Sequence, residues 1–126
     1  MDIICPAGWE VVYSAYDTLN LEHPDTWQMI DYIIYTGTTS EDFAEYVETS
    51  EVQSAKDLDM YVSHEAGPAI GSFTTMQVLC ESFNVYYAWA PVGECWVFVT
   101  VYDFEGLTLD EALKPALEWV QLDKVL

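Results

Sequence analysis

Two apolar runs near the C-terminus constrain the fold of this chain more than any other feature. VYYAWA starts at Val85 and CWVFVTVY ends at Tyr102, and both are rich in the aromatic and β-branched residues that favour strands. The PVGE segment between them is a short turn with a glycine, so the pattern predicts a hairpin. In the second run both alternating sets of side chains are apolar, which is typical of a central strand covered on both faces.

Apolar residues at steps of three and four predict helices over much of the remaining chain. The first helix has a stripe of Trp9, Val12, Tyr16 and Leu19, the second runs from Pro24 toward Tyr35 with Trp27, Ile30 and Ile34, and the third contains Phe73, Met76, Leu79, Cys80 and Phe83. A capping box of Thr108 and Glu111 predicts a last helix, LDEALKPALEWVQL. Pro115 is expected to kink this helix or to split it.

The chain as a whole is expected to form a single globular domain over residues 1–126, since this length buries about two thirds of the unfolded surface. Residues 51–63 fit either a short helix capped by Ser50 and Gln53 or a half-buried strand. The predicted fold class is α+β, with four or five helices packed on a small antiparallel sheet centred on the C-terminal hairpin.

The stretch from Ser40 to Asp59 has the densest charge, with seven carboxylates among twenty residues. Ser40 is expected to cap a helix that buries Phe43 and Val47. Helical spacing then places three carboxylates in a row on another face: Glu41, Glu45 and Glu48. Like charges at this spacing weaken an isolated helix by about a few tenths of a kcal/mol per pair, so helix stability does not explain the row. The row is either a solvated helix face or a surface that imitates a line of phosphates.

The sign of the charge is the most unusual part of the composition. The chain has 22 acidic residues against three lysines and no arginine, for a net charge of −19, while 52% of its residues are hydrophobic. This hydrophobic content predicts a folded protein rather than a disordered acidic tail. The negative field repels nucleic acid and anionic membranes and attracts basic surfaces. We therefore expect no direct binding to nucleic acid or membrane, and a basic nucleic-acid-binding protein as the partner.

No catalytic or metal-binding pattern is recognisable in the sequence. Neither His23 nor His64 belongs to a catalytic arrangement, because no Gly-x-Ser-x-Gly elbow presents a nucleophile. Phosphate-binding glycine loops are absent, and the carboxylates lack the EF-hand spacing of calcium sites. We expect no enzymatic activity, no cofactor and no specific metal site, while loose binding of divalent cations to the acidic helix stays open.

The N-terminus and the cysteines favour the cytoplasm. MDIICPAGW lacks the basic segment of a secretory or transit peptide, and no apolar run approaches the ~18 residues of a transmembrane helix. Cys5, Cys80 and Cys95 are odd in number and lack the close pairing of metal sites, so we expect reduced core residues. The predicted location is cytoplasmic, in the host cell if a phage encodes the protein.

In composition the chain is similar to anti-restriction and anti-CRISPR proteins of phages and plasmids and to inhibitors of DNA glycosylases, although no motif assigns it to a family. The resemblance implies that carboxylates lie where a DNA-binding groove expects phosphates. A groove that gains affinity by releasing counterions from DNA also gains by binding an array of carboxylates. The leading hypothesis is therefore an acidic nucleic-acid-mimic inhibitor that blocks the DNA- or RNA-binding groove of a host defence nuclease or effector.

The predicted partner-binding residues all lie in the acidic stretch: Glu41, Asp42, Glu45, Tyr46, Glu48, Glu51, Asp57 and Asp59. Tyr46 is included because a flat ring with a polar tip suits an interface. Two alternatives remain. One is an immunity protein that neutralises a toxin nuclease through a few buried anchors. The other is an ordinary acidic or halophilic domain with no mimicry.

Overall fold

A seven-stranded antiparallel sheet forms the centre of the structure, a computed structural model in which residues 7–119 are described. The strands are β1 (Glu10–Ser14), β2 (Thr18–Glu22), β3 (Met29–Thr36), β4 (Tyr61–Ala66), β5 (Thr74–Cys80), β6 (Asn84–Val92) and β7 (Cys95–Asp103). Their order across the sheet is β1-β2-β3-β7-β6-β5-β4. Each half of the sheet is a meander, and the two halves join where β3 pairs with β7.

Helices cover both faces of this sheet. α1 (Ser40–Tyr46), a π turn (Val47–Glu51) and α2 (Val52–Asp57) follow one another without a break, and α3 (Leu109–Glu118) is separate. We call the continuous helix over residues 40–57 the acidic helix. The prediction of four or five helices on a small sheet is therefore wrong, since the described residues form two helices and a large sheet.

The predicted C-terminal hairpin is confirmed and occupies the middle of the sheet. β6 and β7 pair along their whole length, beginning with Asn84 opposite Asp103. One set of side chains on β7, which includes Val99, packs in a core with α3. The other set includes Phe98 and packs in a second core with the acidic helix. The central strand is thus covered on both faces, as its two apolar sets predict.

Three predicted helices are strands instead. The stripe from Trp9 to Leu19 falls on β1 and β2, the stripe with Ile30 and Ile34 on β3, and the stripe with Met76 and Cys80 on β5. A step of four residues returns to the same face in a strand as well as in a helix, so such pairs do not distinguish the two. The residue halfway between the two distinguishes them, because it lies on the same face in a strand and on the opposite face in a helix. Tyr32 and Val78 hold those halfway positions and are 0% and 2% exposed, as alternation requires.

The last helix is confirmed. Thr108 and Glu111 form the capping box, with the Glu111 backbone nitrogen 3.2 Å from Thr108 Oγ1 and the Thr108 nitrogen 3.1 Å from Glu111 Oε1. The expected split at Pro115 does not occur, because α3 continues through the proline. Leu113 and Leu117, on either side of it, are buried in the same core, and this packing offsets the lost hydrogen bond.

Residues 51–63 contain both predicted alternatives in succession. The acidic helix continues to Asp57, and β4 begins at Tyr61. The expected capping box of Ser50 and Gln53 is absent, because the chain enters α2 from the π turn without a new helix start.

Cys80 and Cys95 are free thiols, the first buried and the second half-buried. Cys5 and residues 120–122 of the last predicted helix lie outside the described residues. Within 7–119, no helix combines the length and the apolar character that crossing a membrane requires.

β1 forms one edge of the sheet and exposes apolar side chains. Val11, Val12 and Tyr13 are 52%, 61% and 54% exposed. The pairing with β2 shifts between Val11 and Tyr13, which marks a bulge at Val12. Among the described residues, one backbone edge of this strand pairs with no other strand, and the strand has little cover.

Asp103 is a fully buried carboxylate at the end of β7. Its Oδ1 accepts hydrogen bonds from Gln28 Nε2 at 3.0 Å and from the Glu105 backbone nitrogen at 2.9 Å. Its Oδ2 accepts one from the Leu107 backbone nitrogen at 2.7 Å. The carboxylate therefore joins the β7–α3 loop to the segment before β3, and it is not available to a partner.

Replacing Asp103 with Asn is expected to lower the free energy of unfolding by about 2–3 kcal/mol, because the new amide nitrogen would face another hydrogen-bond donor in a buried site. Urea unfolding measures this change. Asp25→Asn is the control, since Asp25 is exposed in the β2–β3 loop. Equal, small changes in both variants would show that the buried carboxylate does not support the loop.

Candidate partner-binding surface on the acidic helix

One apolar stripe holds the acidic helix on the sheet. Phe43, Val47 and Val52 are buried in the core that contains Phe98. The Phe43 and Phe98 rings stack with 5.1 Å between their centroids. At the start of the helix, Ser40 Oγ accepts a hydrogen bond from the indole nitrogen of Trp89 at 2.9 Å. These contacts fix the rotation of the helix, so its opposite side faces solvent.

The π turn changes which residue of the helix meets the sheet. In a regular α-helix the residue four after Val47 is Glu51, which would point a carboxylate into the core. Here the backbone nitrogen of Val52 donates to the Val47 carbonyl oxygen, five residues earlier. The extra residue lets Val52 take the inward position, and Glu51 moves to the flank of the helix, where it is half-buried.

Glu51 organises a group of tyrosines on this flank, which we call the Glu51 cluster: Glu51, Tyr35, Tyr46, Tyr87 and Tyr102. Tyr46 Oη donates to Glu51 Oε1 at 2.7 Å, and Tyr87 Oη donates to Glu51 Oε2 at 3.2 Å. The carboxylate thus links a tyrosine of the helix to one of the central strand β6, 36 residues further along the chain.

The Glu51 cluster keeps its phenols protonated. The hydrogen bond to Glu51 is the main cause that raises the pKa of Tyr46, followed by partial burial. Burial is the main cause for Tyr87, whose pKa is raised further by the charge of Glu51. Burial, with the charges of Asp31 and Glu51, raises the pKa of Tyr102 to about 12. These hydroxyl groups are therefore hydrogen-bond donors at neutral pH.

Glu41, Glu45 and Glu48 form a line on the outer side of the helix, which we call the acidic ridge. All three are exposed, on the side opposite Phe43 and Val47. Among the described residues, none donates a hydrogen bond to these three carboxylates. Their exposure agrees with the row predicted from helical spacing, and their role in binding stays a prediction.

Two other predicted site residues, Asp42 and Asp57, form hydrogen bonds within the acidic helix and its N-terminal cap. Asp42 closes the capping box of α1, whose N-cap is Thr39 and not the predicted Ser40. The Thr39 backbone nitrogen donates to Asp42 Oδ2 at 2.9 Å, and this bond is the main cause that lowers the pKa of Asp42. Asp57 Oδ1 accepts a hydrogen bond from Gln53 Nε2 at 2.9 Å. Asp42 and Asp57 thus serve the helix itself.

Asp59 lies beyond the helix, in the turn that leads to β4. Its φ of 57° is left-handed, a conformation that Asp tolerates better than most residues. Asp57 and Asp59 are not brought to the acidic ridge, because Asp57 is nine residues and about 13 Å further along the helix than Glu48. The eight predicted residues therefore do not form one compact site.

Sequence analysis missed the open half of the helix-bearing sheet face. Tyr13, Asn20, Asp31, Thr100 and Tyr87 lie opposite one another on successive strands. Tyr87 packs with the acidic helix, so the whole row points to that side of the sheet. The helix lies over β5, β6 and β7 and reaches Tyr35 near the end of β3. It leaves β1, β2 and residues 29–33 of β3 open, and we call the helix-side residues of this region the open face.

The open face carries further carboxylates beside the acidic helix. Glu10 and Glu22 lie opposite each other, and Glu22 also lies opposite Met29. Asp31 accepts a hydrogen bond from Asn20 Nδ2 at 2.6 Å, while burial raises its pKa. Alternation along β3 would have identified Asp31 as a residue of this face. A helical interpretation of the segment places Asp31 on a different face and does not reveal this.

The histidines lie in ordinary structural positions. His64 Nδ1 is 2.6 Å from Tyr61 Oη on the edge strand β4, and the Tyr61 ring also lies under Lys56, 4.9 Å from its Nζ. His23 Nδ1 accepts a hydrogen bond from the Asp25 backbone nitrogen at 3.3 Å. Across residues 7–119, no three His, Cys, Asp or Glu side chains are grouped to hold a metal ion.

Comparisons with known proteins add no assignment. The sequence matches no protein-family model and no curated protein. The acidic helix and the open face, through their geometry and charge, are therefore the features of this protein that bear on function.

The tyrosine pKa values predict how stability depends on pH. Tyr46, Tyr87 and Tyr102 have a higher pKa in the folded protein than in the unfolded chain, where it is about 10. Above pH ~10 the folded state therefore binds more protons than the unfolded state. The contribution of the protonated tyrosines to the free energy of unfolding is therefore complete below pH ~10. It is lost as the pH rises toward the pKa values of these tyrosines in the folded protein.

Glu51→Gln is expected to lower the pKa of Tyr46 toward the ordinary tyrosine value of about 10, because it removes the charged hydrogen-bond acceptor. One more tyrosine than in the wild type should then titrate near that pH. The measurement is the ultraviolet absorbance of tyrosinate against pH. Glu48→Gln is the control and should leave the titration unchanged. An unaltered curve for Glu51→Gln would mean that the carboxylate does not hold Tyr46.

Proposed function

We propose that this protein is an acidic nucleic-acid-mimic inhibitor, of anti-restriction or anti-CRISPR type, whose acidic ridge enters the DNA- or RNA-binding groove of a host defence nuclease or effector. The observation that carries the proposal is the ridge itself. Glu41, Glu45 and Glu48 are exposed, aligned and without hydrogen-bond donors among the described residues. Glu41 lies in the first turn of α1, where the helix dipole favours a negative charge. Glu45 and Glu48 have no such role, and like charges at this spacing weaken a helix. Lysines and arginines of a partner would form ion pairs with these three carboxylates.

The charge spacing supports a match to one nucleic-acid strand. Glu41 and Glu48 are seven residues apart, which is about 10 Å along a helix axis. The ridge therefore carries one charge per ~5 Å, against ~3.4 Å for one strand of B-DNA and ~1.7 Å for the duplex. A density closer to the duplex requires carboxylates of the open face, such as Glu10, Glu22 and Asp31.

A second candidate is an immunity protein that neutralises a toxin nuclease, and two exposed aromatic residues favour it. Tyr16 is 95% exposed and Trp27 is 68% exposed. Large aromatic side chains are common anchors of protein interfaces. Both residues lie in turns outside the acidic helix, so an inhibitor that used them need not occupy the nucleic-acid groove.

The two candidates differ in their effect on nucleic-acid binding. The partner can be captured from a host lysate at low salt and purified. If the protein is a mimic, it displaces DNA or RNA competitively from that partner, because both ligands need the same basic groove. Fluorescence anisotropy of a labelled oligonucleotide bound to the purified partner measures the displacement. Inhibition of the nuclease with oligonucleotide binding intact would exclude mimicry and favour the immunity candidate.

Replacing Glu41, Glu45 and Glu48 together by Gln is expected to leave the fold intact and weaken partner binding about 3- to 100-fold. The range follows from three exposed charge pairs of about 0.2–1 kcal/mol each. The association rate should fall, and affinity should depend less steeply on salt. Surface plasmon resonance at several salt concentrations measures all three quantities.

The matched control is the triple variant Glu81→Gln, Glu105→Gln and Glu118→Gln. These residues are exposed, lie outside the acidic helix, and change the net charge equally. Equal losses in the two triple variants would mean that only total charge matters. No loss in the ridge variant would remove Glu41, Glu45 and Glu48 from the binding site.

A further inference from the structure

A cavity lies beneath α2, between that helix and strands β5, β6 and β7. Its volume is about 150 Å³. Most of its wall is apolar and includes Met60, Val78, Phe83 and Val85, and Ala55 lines it from the helix side. The cavity is partly open to solvent, and apolar cavities of about this volume accept a molecule of the size of benzene. The cavity therefore suits a six-membered ring.

One end of this cavity is polar, because Glu51 and Tyr102 of the Glu51 cluster also line it. Each Glu51 oxygen accepts one hydrogen bond from a tyrosine, which leaves each oxygen with a further lone pair. Tyr102 Oη has no hydrogen-bond partner among the described residues. No fully buried side-chain polar atom of those residues lacks a partner, so this hydroxyl is in contact with solvent.

From this geometry we infer that the cavity binds a small organic cation, an aromatic ring that bears a primary ammonium group. The ring fills the apolar part, and the ammonium group donates to Glu51 and to Tyr102 Oη. A carboxylate favours a cation over a neutral or anionic group at this end. The net charge of −19 acts in the same direction, because it raises the local concentration of cations. This site does not depend on the function proposed for the acidic ridge.

The π turn is the structural reason that the site exists. It moves Glu51 from the core-facing position to the flank, where the carboxylate reaches both the tyrosines and the cavity. A regular helix would direct the same side chain at the sheet. π turns are frequent at functional sites, and this one positions the charged group of the ligand site.

The test compares three probes of similar shape on the folded protein: benzylamine, benzyl alcohol and benzoate. Methyl resonances of Met60, Val78 and Val85 in ¹³C-labelled protein report occupancy. Benzylamine should shift them saturably and bind about tenfold or more tightly than benzyl alcohol, as expected for a hydrogen bond to a charged group. Benzoate should cause no shift. No shift with benzylamine, or equal affinity for all three probes, would overturn the inference.

Two variants locate the binding. Ala55→Leu fills the cavity from the helix side and should abolish the shifts, and Glu51→Gln should reduce the affinity for benzylamine to that for benzyl alcohol. Glu118→Gln, which removes an exposed carboxylate of α3, is the control and should bind as the wild type does. Undiminished benzylamine binding by a folded Ala55→Leu variant would place the probe elsewhere and refute the site. The three-probe comparison on the wild type decides the question if either variant fails to fold.

Discussion

Strand β7 has apolar side chains on both faces, and the need to keep both from water determines the rest of the arrangement. Each buried Val or Phe side chain contributes about 1.5–3 kcal/mol relative to an exposed one. Val99 and its neighbours are covered by α3, and Phe98 is covered by Phe43 of the acidic helix. Because this contact fixes the inner side of the acidic helix, it also fixes which carboxylates face outward. The charged surface is therefore a consequence of how the core is closed.

The sequence predicts elements well where a pattern has only one physical interpretation. Two apolar sets on β7 require a covered strand, and Thr108 with Glu111 marks a helix start that the structure contains. The pair Ile30 and Ile34 is compatible with a strand and with a helix, and the helical interpretation was wrong. Choosing the helix at each such ambiguous pair removed four strands, β1, β2, β3 and β5, from the predicted fold.

The candidate site was predictable only in part, for a different reason. Glu41 and Glu45 lie in α1, and Glu48 is the second residue of the π turn, ahead of the extra residue, so helical spacing alone indicates a common face. The position of Glu51 depends on a single extra residue in the helix, and no residue pattern in the sequence indicates that turn. The hydrogen bond from Tyr87 to Glu51 joins residues that are 36 positions apart, so spacing within one segment cannot predict it. The open face was missed because it exists only once β1, β2 and β3 are paired.

The charge of this protein also affects what its edge strand can do. β1 exposes Val11, Val12 and Tyr13 and carries neither the lysine nor the proline with which many proteins discourage edge-to-edge pairing. Between molecules of net charge −19, long-range repulsion substitutes for such residues and keeps two β1 edges apart. Near the sequence isoelectric point of about 4.1 that repulsion disappears, while the unpaired backbone edge remains. Acidity thus favours the solubility of the sheet, and intermolecular sheet extension is expected to begin as the pH falls toward this isoelectric point.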